Sequence, residues 1–488
     1  MQLSPARLRG ARATRTPDQR GSASDGRRQA LTGSAVRGRL APLRHAALRV
    51  SLGGIRLPIS LLIILTISRV HQYYGILEKL HPAQLCFGWA LAICAFGNRK
   101  TIALENWREL PIRLVLALAG AALLSMPLGI SFGNSASFFL HEYSKVILLC
   151  LLIAASMRSA DDLWTILWAY VIAIGVLSWL ALTKTQLVTG NTGFVRMGDA
   201  ATYDANDIGL VCLTGLPLCL LTLRTSRMAG KLASLVIMAL ACITIARTGS
   251  RGAFLGIVAV GMSLLVFARA ISVSKRIALG VVGAVALSLA APAGYLNQMA
   301  TIFDHSDYNY TTPTGRLEIA KRGMGYLARN PVTGIGLRNF SRAEGTLSEE
   351  ALEFKSGGPG VKWSAAHDSY LQAVVEMGLI GGGIFVALVC VGATSGRRLR
   401  RQFLERAGPP SRATGQATSI LAASSDYLPI SFIAFAVPAF FLSFAYMDPL
   451  YILSAYAAAT FGLARRVTVP PLSARGPHFR AGARPVRA

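Results

Sequence analysis

The sequence predicts an all-α fold, a polytopic transmembrane helical bundle, and three observations carry that prediction. Of 488 residues 53% are hydrophobic and only 15% are charged, whereas soluble domains carry about 25% charged residues. Apolar runs close to the roughly 20 residues that cross a bilayer recur along the chain. Lys and Arg cluster between alternate runs, as loop anchors do in membrane proteins. The net charge of +27 would suggest nucleic acid in a soluble protein. Here anchoring arginines account for it, and no nucleic-acid partner is expected.

Twelve spans are expected, at about 52–69, 81–97, 111–131, 143–157, 163–182, 208–223, 231–247, 252–268, 276–295, 370–393, 427–446 and 449–464. Residues 1–50 are basic, rich in Arg, Gly, Ser and Ala, without an apolar run. They read as a disordered leader, and the first span as an uncleaved insertion signal. Residues 51–295 hold spans one to nine, 296–369 a large extracytoplasmic loop, 370–464 the last three spans, and 465–488 a basic tail. Alternating the spans puts Arg99–Lys100, Arg224–Lys231, Lys275–Arg276, Arg397–Arg406 and Arg465–Arg466 on one side. That side is expected to be the cytoplasm, with both termini in it. No internal repeat is visible. The seven cysteines, Cys86, Cys94, Cys150, Cys212, Cys219, Cys242 and Cys390, lie in or beside apolar runs. They read as small buried hydrophobes rather than a disulfide framework or metal cluster.

The same alternation places Arg247 and Arg251, in the stretch Ile245-Ala246-Arg247-Thr248-Gly249-Ser250-Arg251-Gly252, on the outer side. Ionisable residues so placed are costly and point to function. Gly249 and Gly252 break the helices and open the backbone to close approach. Ser250 adds a hydroxyl, and a helix N-terminus favours anions. Arginine forks match phosphate oxygens. The stretch reads as a phosphate seat, weighed against a plain pair of arginines touching lipid headgroups.

The long loop contains an amphipathic helix from Arg316 to Leu327, ended by Asn330-Pro331, then a tight turn at Gly334 and Gly336. Where the loop re-enters the membrane stands His367-Asp368-Ser369-Tyr370, with Glu376 further on. An imidazole titrates near neutrality and can take a proton from a hydroxyl nucleophile; the bland alternative is an interfacial histidine. Glu376 lies about 13 Å down the helix at 1.5 Å per residue, half a turn out of phase. It therefore reads as a contact to a neighbouring helix rather than as the orienter of His367. In Tyr203–Asp207, Asn206 and Asp207 are balanced between helix caps and substrate contacts. No pair of histidines has metal-ligand spacing, and neither a protein-bound metal nor a cofactor is expected. Asp304, His305 and Asp307 give no supported site.

Three of these stretches together resemble the bacterial O-antigen ligase and polymerase superfamily. Thr248–Ala253 looks like its Ser-Arg-Gly turn. Gly315-Arg316 through Pro331–Gly336 and Phe340 looks like its arginine-led loop helix and Pro-x-x-Gly-x-Gly turn. His367–Gly378 looks like its histidine motif, and Tyr203–Asp207 resembles a weaker fourth element. The likeness spans about residues 195–381. Asp368 departs from it, since the family usually has Asn after the histidine.

The resemblance implies a glycosyltransferase in the bacterial inner membrane, its active site facing the periplasm. The donor would be a glycan on undecaprenyl diphosphate and the acceptor a hydroxyl of a glycolipid or glycan, with no metal or nucleotide. His367 would be the base; Arg247, Arg251 and Arg316 would hold the diphosphate; Ser250, Asn206, Asp368, Tyr370 and Glu376 would support them. An O-antigen ligase is the leading expectation. A polysaccharide polymerase, a protein O-oligosaccharyltransferase, a lipid-linked glycan flippase and a non-catalytic assembly protein are the alternatives. A transporter would place its polar groups near the midplane and within repeated halves; here they collect on one surface.

Overall fold

The computed structural model describes residues 54–97, 102–189, 194–199, 202–268, 272–304, 312, 315–349, 351–352, 363–404 and 415–468. The expected leader at 1–50, the tail beyond Thr468, and His305 and Asp307 lie outside these residues. A helix stands in the place of each expected span. They are α1 (Arg56–Ser68), α2 (Pro82–Phe96), α3 (Leu110–Leu128), α4 (Phe132–Ser156), α5 (Ala160–Lys184), α6 (Ala205–Thr225), α7 (Met228–Thr248), α8 (Arg251–Phe267) and α9 (Val273–Ala290). After the loop helices α10 (Arg316–Arg329) and α11 (Phe340–Leu347) come α12 (Ser369–Ala393), α13 (Gly415–Ala436) and α14 (Asp448–Thr468). Seven of them, α3 to α7, α12 and the stretch Ala417–Phe441 that contains most of α13, are long and apolar enough to cross a membrane. The protein is a multi-pass, all-α membrane bundle. A short antiparallel hairpin, β1 (Leu187–Thr189) with β2 (Val195–Met197), is an addition that the apolar periodicity did not announce.

Local chemistry sets several helix starts. Ser159 and Asp162 form a reciprocal capping box on α5, and Asp204 and Asp207 do so on α6. Ser250 caps α8 and Asp368 caps α12. Each side chain accepts backbone N–H groups that have no partner inside the helix.

Two ends of the bundle differ in chemistry. At one end arginines of three of the expected basic clusters meet buried carboxylates, while Arg99 and Lys100 lie outside the described residues. Glu109 lies between Arg398 and Arg465, Asp426 between Arg224 and Arg400, and Arg56 pairs with Asp162. At the other end lie the Arg247–Arg251 turn, the loop and His367. The centre is α14: from Asp448 to Ala464 every residue is buried. A helix covered all round belongs in a core, and its Ala-rich surface allows α3, α4 and α13 to approach closely.

The eleventh span differs from its expected position at 427–446. Helix α13 ends at Ala436, a tight helical turn follows at Pro438–Phe441, and residues 442–447 form a non-helical, mostly buried stretch. Pro438 removes a backbone donor, and the chain then turns before Asp448 starts α14.

Helix α12 is broken at Gly378, whose φ is 68 and ψ −173. The break leaves backbone groups open inside the bundle, where they need partners. The Pro331–Gly336 turn supplies them. Ile335 N–H donates to the Val375 carbonyl at 2.9 Å, Gly336 N–H to Glu376 at 3.0 Å, and Leu379 N–H to the Pro331 carbonyl at 2.8 Å. The loop then anchors its own small core of Ile319, Tyr326, Ile335 and Phe340 on Leu371 and Val375 of α12. Arg322 adds an ion pair to buried Glu344 at 2.6 Å.

A Cβ at residue 378 would come within 2.1 Å of the Val332 carbonyl oxygen, whereas one at Gly383 meets open space. Gly378→Ala is therefore expected to cost roughly 1–3 kcal/mol or more, read as a lower unfolding temperature and faster proteolysis of the loop in detergent. Gly383→Ala is expected to be neutral, and equal behaviour of the two variants would contradict the strained junction.

Candidate functional site

The turn between α7 and α8 is built by its own short side chains. Gly249 ends α7 with φ 60, and a Cβ there would run into the Phe194 ring at 2.5 Å. Thr248 Oγ1 accepts the Ser250 N–H at 3.3 Å, and Ser250 Oγ accepts the Ala253 N–H at 3.3 Å. Ser250 is buried and caps the start of α8. Arg251 begins α8 and donates to the Thr301 hydroxyl at 3.1 Å. Arg247 is exposed and lines a cleft of about 450 Å³ with Phe194, Pro292, Asn297 and Thr301. The hairpin roofs this turn and brings Arg196, half-buried, over Gly249. Arg196 lies some fifty residues upstream with no motif around it; its one signal is a charge set between Val195 and Met197.

The other predicted residues meet on the stretch that follows α13. Phe441 packs on Gly252 at the start of α8: a Cβ at that glycine would lie 3.1 Å from the Phe441 Cβ. The Arg316 guanidinium stands 5.9 Å from the centre of the same ring. Ser443 Oγ accepts the His367 N–H at 2.8 Å. Phe444 lies 6.4 Å, ring to ring, from Tyr203 at the entrance of α6. Residues 441–444 thus touch all four elements singled out in the sequence.

His367 is half-buried at the start of α12 with φ 50. Asp368 turns its carboxylate to the N–H groups of Tyr370 at 2.8 Å and Leu371 at 3.0 Å. Burial pushes this carboxyl above the usual range, against the two N–H groups and the nearby Arg316 charge. The Arg316 charge is the weakest of these effects, behind the burial and the two N–H groups.

Glu376, Tyr370, Asp204 and Asp207 each make hydrogen bonds within the fold. Glu376 accepts from Arg338 N–H at 2.8 Å, Phe340 N–H at 3.2 Å and the Tyr446 hydroxyl at 2.7 Å, which ties the loop turn and the 442–447 stretch to α12. Tyr370 donates to the Ala436 carbonyl at 3.0 Å and packs on Phe440. At α6 the capping residue is Asp204 rather than Asn206 or Asp207: Asp204 accepts both their N–H groups, and Asp207 closes the box from inside. Asn206 stays at this end, since Gly209, one turn on, packs on Ala253 and Ser250.

Sequence reading also passed over Arg69. It ends α1 with φ 53, reaches Asp448 at 3.3 Å and covers the Tyr203 ring at 5.2 Å. Burial raises the Tyr203 hydroxyl to about 12. Among the described residues no three His, Cys, Asp or Glu side chains gather as metal ligands.

Residues 233–386 match the family model described as O-Antigen ligase. No curated protein matches the chain in sequence. The matched segment runs from within α7 to within α12 and contains Arg247, Arg251, Arg316 and His367. Through that segment, about a third of the chain, the protein is similar to O-antigen ligases, and the match supports glycan transfer of the ligase or polymerase type.

Proposed function

We propose that the protein is an O-antigen ligase: it transfers a glycan from undecaprenyl diphosphate to an acceptor hydroxyl at the periplasmic face of the inner membrane. The observation that carries this reading is the meeting of the arginine turn, Arg316 and the His367 segment on residues 441–444. A base and a cationic seat on one short stretch of chain suit displacement at a carbon bonded to phosphate.

In the proposed reaction Arg247, Arg251 and Arg316 hold the diphosphate. The acceptor oxygen attacks the anomeric carbon from the face opposite the diphosphate, which inverts that carbon. The carbon–oxygen bond to the phosphate breaks, and its electron pair leaves with undecaprenyl diphosphate. The guanidinium groups stabilise the charge gathering there, and the acceptor proton passes to the His367 imidazole. Every charge-stabilising group in this scheme is an arginine, so the scheme draws on no metal. Arg251 is positioned for the role by the start of α8 and by Thr301; Arg316 shares its charge with Asp368.

Arg251→Ala is expected to lower transfer by roughly 10²–10³-fold, the loss seen when one transition-state donor is removed. His367→Ala is expected to lose about 10²–10⁴-fold. Both variants should insert and unfold like the wild type, measured with purified protein and a lipid-linked donor. Near-normal transfer by His367→Ala removes it as the base.

In a deletion strain, loss of all attached polymer while lipid-linked polymer accumulates is the expected surface glycan profile. Attachment of single repeats would make the protein a polymerase instead.

Asp368→Asn keeps an N-cap of equal quality and removes the negative charge that faces Arg316. Donor KM is expected to fall a few-fold with the fold intact; a rise in KM would place Arg316 outside the donor site.

A further inference from the structure

His367 carries a Cβ yet sits in the left-handed region, φ 50, where such a residue stays only when its surroundings hold it. The surroundings here are two serines. Ser443 Oγ accepts the His367 N–H at 2.8 Å. Two residues on, the exchange is returned: Ser369 Oγ donates to the Leu442 carbonyl at 2.6 Å and accepts the Phe444 N–H at 2.8 Å. Residues 367–369 and 442–444 are therefore locked in one register. Phe441, the next residue back, packs against Gly252 and faces Arg316. The spacing between the histidine and the arginines is thus set by this stretch and not by α12 alone.

We infer that Ser443 is a positioning residue for the transfer reaction. By holding the backbone of His367 in its left-handed conformation, it presents the imidazole to the acceptor at a fixed distance from the arginine seat. Ser369 is the other jaw of the same clamp. Two features set this apart from ordinary core packing. Ser443 is only half-buried, and its bond goes to the backbone of the proposed reacting residue. The inference rests on the reading of His367 as the base. Its physical basis is that small displacements of a catalytic group are costly: a shift of about 1 Å can lower a rate by roughly 10²-fold.

The test uses the full chain reconstituted in membranes with a lipid-linked glycan donor, comparing Ser443→Ala, Ser443→Thr and His367→Ala over donor concentration and pH. Ser443→Ala is expected to lower kcat by roughly 10- to 100-fold, with donor KM and unfolding temperature within error of the wild type. Ser443→Thr keeps the hydroxyl and is expected to recover most of the rate. His367→Ala is expected to be inactive across the pH range. A kcat within twofold of wild type in Ser443→Ala, while His367→Ala is inactive, overturns the positioning role and leaves the base in place. Parallel loss of kcat, donor binding and stability, unrelieved by threonine, makes Ser443 a structural residue and also overturns it. Full activity of His367→Ala overturns both readings together.

Discussion

Backbone hydrogen bonds that cannot be left open within a membrane organise this protein. Helix α12 breaks at Gly378, and a turn from the long loop enters to complete the freed groups. In water such a break would be solvated at little cost. In a bilayer, non-helical backbone persists only where protein or a water-filled cavity covers it. The loop is therefore no appendage: its Pro331–Gly336 turn is part of the transmembrane structure, and Glu376 fastens the following residues by accepting two of their N–H groups. Arg316 reaches its place because the helix it starts leads directly into that turn.

A second irregular stretch, residues 438–447, gathers what the loop and the arginine turn bring. Its apolar side chains separate α8 from α12, and its hydroxyl and carbonyl groups engage the start of α12. The candidate site thus combines two non-helical segments, each covered by helices. Straight helices alone would carry the arginines and the histidine on separate cylinders. The irregular stretches cross between those cylinders and fix the spacing. Polar residues of this region are divided between two tasks: Glu376, Tyr446, Ser369 and Asp204 satisfy backbone or one another, while Arg247 stands exposed in a cleft.

Much of the bundle was legible because apolar run length is a direct physical requirement of the bilayer. Each expected span is met by a helix, and arginines of three of the expected basic clusters, Arg224, Arg398 with Arg400, and Arg465, meet the buried carboxylates Asp426 and Glu109. The arginine turn, the loop helix starting at Arg316 and its termination by Asn330-Pro331 were also visible, since caps and breakers act locally. Long-range pairings were not. Arg69 and Asp448 meet across 379 residues, and nothing near either one announces the other. The hairpin bearing Arg196 is too short for its alternation to stand out. Residues 442–447 read as membrane span because Leu, Phe, Ala and Tyr have the same hydropathy in a helix and in a buried turn; only Pro438 and Asp448-Pro449 marked the interruption. Asn206 and Asp207 were read as possible caps where Asp204 holds the position, a slip of two or three residues of the kind that cap chemistry alone does not prevent.

The place of α14 bears on how the bundle comes together. A helix late in the sequence is the one that earlier helices enclose. Helices α3, α4 and α13 all precede Asp448–Thr468 in the chain and pack on it. Only with Asp448–Thr468 in place can Arg465 reach Glu109. Closing the middle of the bundle thus waits on α14, and the stretch carrying Ser443, which leads straight into it, depends on that step.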